Sequence, residues 1–356
     1  MRFKGFDGEW TEIKEEPFIK NGNIISTSST KVGMYTYFDR SREIKLIDTW
    51  KNNGEYLIFP SECNFYVNYF NGKFSHHSKT YRMRIENHSM KFIYYLITFK
   101  SKNIEKISYG SSVKRFSKNT IINCFEIVPS LPEQQKIAQF FSLLDHHIKL
   151  WERKLELCQL KKKYYLDKMF ANKDFPKLRF KGFEGINLKY CFDELFETIN
   201  LGFYVTDKNN FKTVRNEKSV KIYSQSLDEI MFYETESYFQ PKNDIYILFG
   251  DHTRKIDLIK DSGVFYGDGL KILKLIKFSE SFYLYYLLTS IKIKNLGYSR
   301  HFKLLRENNF RICDSIFEQQ KIASFFEQKD KYINLCRLNI EKLKDRKKYY
   351  LNNMFI

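Results

Sequence analysis

Two near-copies of one unit, joined in a single chain, set the first limit on how this sequence can fold. EQQKIAQFF at 133–141 returns as EQQKIASFF at 318–326, 185 residues on. KKKYYLDKMF at 161–170 returns as RKKYYLNNMF at 346–355 at the same offset, and RFKGFDG at 2–8 returns as RFKGFEG at 179–185, 177 residues on. Matches of this length mark a duplication, so one structural unit is built twice. The larger offset also relates Asn123 to Asn308, Phe125 to Phe310, Ile127 to Ile312 and Ser130 to Ser315. Alternation at Phe125 and Ile127 reads as a short strand ahead of a helix. Residues 10–114 and 187–299 share little beyond an aromatic helical stretch, FIYYLIT at 92–98 against FYLYYLLT at 282–289. The layout is fixed frame, variable insert, fixed helix, and the same again.

Each fixed helix opens on a capping-box pattern, Ser130 to Glu133 and Ser315 to Glu318, with Pro132 in the first turn of the first. Apolar residues then recur at coiled-coil spacing: Ile137, Phe141, Leu144, Ile148, Trp151, Leu155 and Cys158 in the first copy. The second copy has Ile322, Phe326, Ile333, Cys336, Ile340 and Leu343. Lys162 interrupts the first series, and Lys329 and Lys347 the second. Each series can serve as the other's partner surface. A helix of about 38 residues is about 57 Å long, near 17 base pairs of duplex, so the pair could act as a ruler.

Net charge +18, from 60 basic and 42 acidic residues, points to an anionic partner, most often nucleic acid. The 25 Tyr and 34 Phe suit stacking surfaces and ordinary cores equally. Six cysteines, Cys63, Cys124, Cys158, Cys191, Cys313 and Cys336, form no CxxC pair and no cluster with His at zinc spacing. They read as reduced thiols in a cytoplasmic protein. The charged N-terminus lacks an apolar signal core, and no apolar run is long enough to span a bilayer.

No constellation carries chemistry. Phe265–Gly269 fits FxGxG, but no Pro-Pro pair accompanies it, so Gly267-Asp268-Gly269 reads as a turn. Asp39, Glu43 and Lys45 fall in a nuclease-like order that chance supplies in so charged a chain. His76-His77 and His146-His147 lack a third ligand, and there is no GxxxxGK[ST] loop. The chain is expected to hold no metal and no cofactor.

Arg115 and Arg300 each precede the helix-opening Glu by 18 residues and are the best-aligned cations of two dissimilar inserts. They are the candidate phosphate contacts. Base reading is assigned to residues that differ between copies. In the first insert these are Lys79, Arg82, Arg84, Ser112 and Lys114. In the second they are His252, Thr253, Arg254, Tyr298, Ser299, His301 and Lys303. Residues 81–85, 245–249 and 269–276 read as strands, and the segments near 90–100 and 281–292 as helices.

These features together resemble the specificity subunits of type I restriction-modification systems. The resemblance covers essentially the whole chain, through the RFKGF(D/E)G starts, the EQQKIA(Q/S)FF openings and the KKYYL-xx-MF ends. FGDHTR at 249–254, GDGLKIL at 267–273 and GYSRHFK at 297–303 resemble one recurrent type of target-recognition domain. NGEYLIF at 53–59, GKFS at 72–75 and FIYYL at 92–96 resemble another, while SECNFYVNYF departs from its glycine-rich pattern. A chain opening directly on the frame motif is expected to lack a short segment present in relatives.

The resemblance implies an α+β fold: two mixed α/β target-recognition domains joined by two long antiparallel coiled-coil helices in a pseudo-twofold repeat. It implies domains at 1–130 and 179–315, spacer helices at 131–171 and 316–356, and a linker at 172–178. It implies a non-catalytic subunit that reads a bipartite, asymmetric site on double-stranded DNA. Two modification subunits would bring the methyltransferase and S-adenosylmethionine. Restriction subunits would add ATP- and Mg-dependent cleavage and translocation. The alternatives are a stand-alone DNA-modifying or DNA-cleaving enzyme, which the missing Pro-Pro motif opposes, and a structural coiled-coil protein, which the charge opposes.

Overall fold

A computed structural model of the chain describes residues 1–22, 24, 32–109, 113–123, 127–170, 174–200, 202–227, 230–241, 245–276, 280–297 and 299–355. Cys124, Phe125 and the first residues of the expected linker lie outside these. The elements run β1 (Thr11–Glu12), β2 (Phe18–Asn21), β3 (Tyr35–Phe38), β4 (Lys45–Ile47), β5 (Asn52–Pro60), β6 (Asn68–His76), β7 (Thr80–Arg84), α1 (Met90–Lys106), α2 (Lys118–Ile122), β8 (Ile127–Val128) and α3 (Leu131–Met169). They continue with β9 (Asn187–Tyr190), α4 (Phe192–Leu195), β10 (Phe196–Ile199), β11 (Tyr204–Val205), β12 (Ser219–Ser224), β13 (Phe232–Glu234), β14 (Tyr246–Gly250), β15 (Ile256–Ile259), β16 (Gly263–Tyr266) and β17 (Leu270–Leu275). Last come α5 (Ser281–Ser290), α6 (Phe302–Arg306), β18 (Phe310–Cys313) and α7 (Ile316–Met354). No helix among the described residues is long and apolar enough to cross a membrane.

Contacts group the chain into two units, Met1–Arg153 with Arg337–Ile356, and Lys154–Cys336. The boundary falls inside both long helices, so each unit holds the start of one helix and the end of the other. In the first unit six of the described strands form a sheet ordered β2-β7-β5-β6-β3-β4. Its register aligns Ile19, Met83 and Leu57 on one face, which packs on Phe92, Ile93 and Leu96 of α1. Side chains alternate along a strand, so the other face carries Lys20, Arg82 and Ile58. In the second unit, sheets ordered β10-β17-β14-β15 and β11-β16-β12-β13 share a core of Tyr223, Leu248, Phe265 and Ile272. Leu284 and Leu288 of α5 cover Ile247, Phe249 and Leu273 of the first of these.

The repeated motifs build the same frame in each unit. β1 pairs with β8, and β9 with β18, joining each N-terminal arm to the strand that enters the helix. The arm turns at Gly5 (φ +91°) and Gly182 (φ +88°), a conformation that favours glycine. Its arginine then forms a two-pronged bond with the helix-opening Glu. Arg2 Nε and Nη2 each donate to Glu133 at 2.6 Å, and Arg179 Nε and Nη2 donate to Glu318 at 2.7 and 2.6 Å. Both glutamates are 1% exposed. Neither glutamate closes its expected capping box, since both carboxylates turn to the arginines; in the second helix Glu318 N–H still donates to Ser315 Oγ at 3.4 Å.

The following Gln grips the aromatic helix. Gln134 Oε1 accepts from the N–H of Ser89, the residue capping α1, at 3.0 Å. Gln319 Oε1 accepts from the N–H of Glu280, which caps α5, at 2.9 Å. The remaining repeat residues stack in matching pairs. Phe3 lies 5.7 Å from Phe140 and Phe180 lies 5.7 Å from Phe325. Tyr95 lies 5.1 Å from Phe141 and Tyr286 lies 5.1 Å from Phe326.

The other long helix closes each stack by its end. Phe355 lies 5.7 Å from Phe141 in the first unit, and Phe170 lies 5.7 Å from Phe326 in the second. Rising numbers on α3 meet falling numbers on α7 within each unit, so the segments run antiparallel. Ile137, Phe141, Leu144 and Ile148 are buried on α3, as are Ile322, Phe326, Ile333 and Ile340 on α7. Trp151, Leu155 and Leu343 are half-buried.

The lysines that break the heptad pattern have partners. Asp145 accepts from Tyr95 Oη at 2.9 Å and from Lys347 Nζ at 2.5 Å. Asp330 accepts from Tyr286 Oη at 2.8 Å and from Lys162 Nζ at 2.5 Å. Burial, with the Asp330 charge added, lifts the Tyr286 hydroxyl far above its ordinary pKa and keeps it a donor. Lys329 lies over the rings of Tyr165 and Phe325, 4.8 and 4.3 Å from their centroids.

Removing the arginine of a clamp leaves a buried carboxylate alone, which is worse than removing both partners. Arg179→Ala is therefore expected to lower the unfolding temperature more than the Arg179→Ala/Glu318→Ala double variant. Thermal unfolding followed by circular dichroism checks this, and an equal or larger loss in the double variant contradicts it.

Candidate nucleic-acid interface

In the first unit the structure gathers two of the five candidate base contacts, together with the candidate phosphate contact Arg115, around Ser61–Cys63. Lys79 O accepts from Ser61 N–H at 2.9 Å, and Lys114 O accepts from Cys63 N–H at 2.7 Å. Arg115 exchanges main-chain hydrogen bonds with Tyr109 at 2.8 and 3.2 Å and bridges to Glu62, leaving its side chain exposed. Glu62 sits inside this cationic group, 2.9 Å from Arg40 Nη1 and 3.4 Å from Lys79 Nζ. Burial opposes its charge, but Arg40 and Lys79 outweigh it and hold the carboxyl below its ordinary pKa. Ser112 lies outside the described residues.

Arg82 and Arg84 are placed apart from that group, on β7. The Arg82 guanidinium lies over Phe18 and Tyr56, 5.5 and 5.4 Å from the ring centroids. Burial, then the Arg82 charge, bring the neighbouring His76 imidazole down to about 4. Arg84 lines a pocket with Glu15, Glu16 and Glu86, which offset its charge. Asp39 and Lys45, of the nuclease-like triplet, form an ion pair with each other, and Ser41 also bonds Asp39.

In the second unit the three distinctive motifs converge on two buried residues that the sequence reading passed over. Asp251, 2% exposed, takes its N–H to Gly269 O and receives His301 N–H on its own carbonyl, at 2.8 and 2.9 Å. Its Oδ1 accepts from Phe302 N–H at 2.6 Å. Gln225 follows β12 and joins the other two loops. Its Nε2 donates to Asp268 O at 2.6 Å, and its Oε1 accepts from the N–H of His252 and Thr253 at 3.0 and 3.3 Å. The turn is tight: a Cβ on Gly269 would stand 2.7 Å from the His252 ring. Gly267 and Gly269 have φ +93° and +66°, so GDG is a turn as expected.

His301 does not fit a base-contacting role. It is 0% exposed. Its Nδ1 bonds Asp251 O at 2.9 Å and its Nε2 accepts from Leu296 N–H at 3.1 Å, so both ring nitrogens hold the loop from inside. Arg254 adopts φ +60° and donates to Ile293 O at 3.3 Å. Thr253, Arg300 and Lys303 are exposed, and Ser299 is half-buried. Lys303 stands 3.8 Å from Glu307. Tyr298 lies outside the described residues.

Arg115 and Arg300 share a local architecture despite the unlike sheets. Each exposed arginine is followed by a buried anchor, Phe116 or His301, and then by the short helix α2 or α6. Phe116 seats on Phe65, 5.1 Å between centroids, and His301 seats on Asp251. Neither arginine has an ionic partner among the described residues.

Comparison with known proteins agrees with this layout. Residues 9–160 match the Type I restriction modification DNA specificity domain. The Type I restriction enzyme EcoDI specificity subunit of Escherichia coli is 22% identical over 150 residues, 42% of this chain and 34% of that protein. The match thus spans about a third of that relative's length. In fold, the S subunit of a type I restriction-modification system from M. genitalium superposes with a TM-score of 0.68 at 16% identity, over 99% of this chain and 97% of that one. By sequence, residues 9–160 carry the likeness to the type I DNA specificity domain, and in fold the whole chain is similar to the S subunit of the M. genitalium system.

Proposed function

We propose that this chain is the DNA-reading, non-catalytic member of a type I complex, and that each unit reads one half of a bipartite, asymmetric duplex site. The observation that carries this is the pairing of two unlike sheets with one invariant frame. Each frame presents an exposed arginine on a buried anchor, Arg115 on Phe116 and Arg300 on His301. Phosphate contacts fix register, and the differing loops beside them supply sequence readout. In this reading Lys79 and Lys114 face bases or phosphates in one half-site, and His252, Thr253, Arg254, Ser299 and Lys303 in the other. The net charge of +18 supplies the general attraction.

The helices supply the spacer and dock two modification subunits. Apolar side chains stand exposed on them away from the paired stripe: Leu143, Leu150 and Leu338 in the first unit, 49%, 54% and 52% exposed, and Leu335 in the second, 48%. Such residues suit partner helices better than water. The methyltransferase, S-adenosylmethionine, ATP and Mg belong to those partners and to restriction subunits. The chain itself acts in the cytoplasm.

Selection of bound duplexes from a random library by the full chain is expected to return two fixed blocks separated by a constant gap. A single contiguous block, or none, rejects the bipartite reading. Arg115→Ala and Arg300→Ala should each weaken binding to all sequences. Each should also flatten the slope of log K against log salt by about 0.9, and an unchanged slope rejects the phosphate assignment. Gln225→Ala should blur one block while leaving the other intact, since Gln225 ties loops of the second unit only; a uniform loss across both blocks speaks against that.

A further inference from the structure

The exposed surface around the three converging loops of the second unit is cationic, with Arg300 and Lys303 both exposed. Asp268 stands on the same loops with its side chain 88% exposed. A carboxylate there repels phosphate and lowers general affinity for DNA. Its side chain has no hydrogen-bond partner among the described residues; His252 Nε2 stands 4.0 Å from Oδ2. Yet its main chain is held closely. The carbonyl receives the buried Gln225 amide at 2.6 Å, and glycines on both sides adopt left-handed conformations. The Gly269 turn also lies too near His252 and Gln225 to admit a Cβ. The turn therefore fixes the main chain that carries this carboxylate, while the side chain itself stands open to solvent.

We propose that Asp268 is a sequence-reading residue that accepts a hydrogen bond from the exocyclic amino group of a cytosine in the major groove. This rests on the DNA-reading function above. An ionised carboxylate only accepts hydrogen bonds. In the major groove cytosine N4 offers it a donor, guanine O6 and N7 and thymine O4 present acceptors that repel it, and adenine sets its N6 donor beside the N7 acceptor, which repels the carboxylate's second oxygen. Asp268 thus discriminates by rejection as well as by attraction, at the expense of general affinity.

The test is library selection with the full chain and with Asp268→Ala and Asp268→Asn. In the alanine variant one cytosine of one block should lose its preference by about 5- to 150-fold, the range of a single good side-chain–base contact. All other positions and the unfolding temperature should stay unchanged. Binding to mixed-sequence duplex should tighten, because a negative charge is gone. The asparagine variant should shift that same position toward adenine, which its amide matches. If the unaltered chain yields a motif that neither variant changes, the proposal fails while the DNA-reading function stands. If the unaltered chain yields no motif, both fall together.

Discussion

An exchange of helix ends holds this protein together. Each unit closes its core with the tail of the helix that began in the other copy of the repeat: Phe355 against Phe141, and Phe170 against Phe326. Apolar stripes alone would tolerate slippage by a heptad. The aspartates prevent it, because Asp145 binds Tyr95 and Lys347 together, and Asp330 binds Tyr286 and Lys162. A shift of one heptad would leave half-buried charges unpaired, at a cost that hydrophobic contacts would not recover. Register, then, is set by polar groups within an apolar seam, the best-attested use of such groups in helix pairing.

The frame is tied to the inserts through few and generic contacts. The glutamate of the EQQ motif binds the arm, and its neighbouring glutamine binds a main-chain N–H at the head of the aromatic helix. These bonds ask little of the insert beyond an aromatic helix with a free first N–H. A six-stranded sheet in one unit and two four-stranded sheets in the other can therefore sit on the same scaffold.

Duplication, the long helices and the strands at 81–85, 245–249 and 269–276 were legible because they follow from periodicity and self-similarity. The heptad lysines read as defects, since their partners lie far along the chain; the matched spacing of Asp145 and Asp330 was the available signal. The helix-opening glutamates looked like capping boxes because the local pattern was right, but a distant arginine competed for the carboxylate. His301 read as a DNA contact because it sits beside Arg300 in a polar loop. Its alignment with the apolar Phe116 at the common offset of 185 marked it as an anchor. Gln225 and Asp251 left no such trace, as each belongs to an insert with no counterpart.

The glutamine grip has an evolutionary corollary. Because Gln134 and Gln319 hold main chain rather than side chain, almost any residue can occupy the gripped position, as Ser89 and Glu280 already do. Genetic exchange with breakpoints in the frame would deliver a new insert whose attachment needs no co-adapted mutation. Recognition could then change in one step, without a poorly folded intermediate.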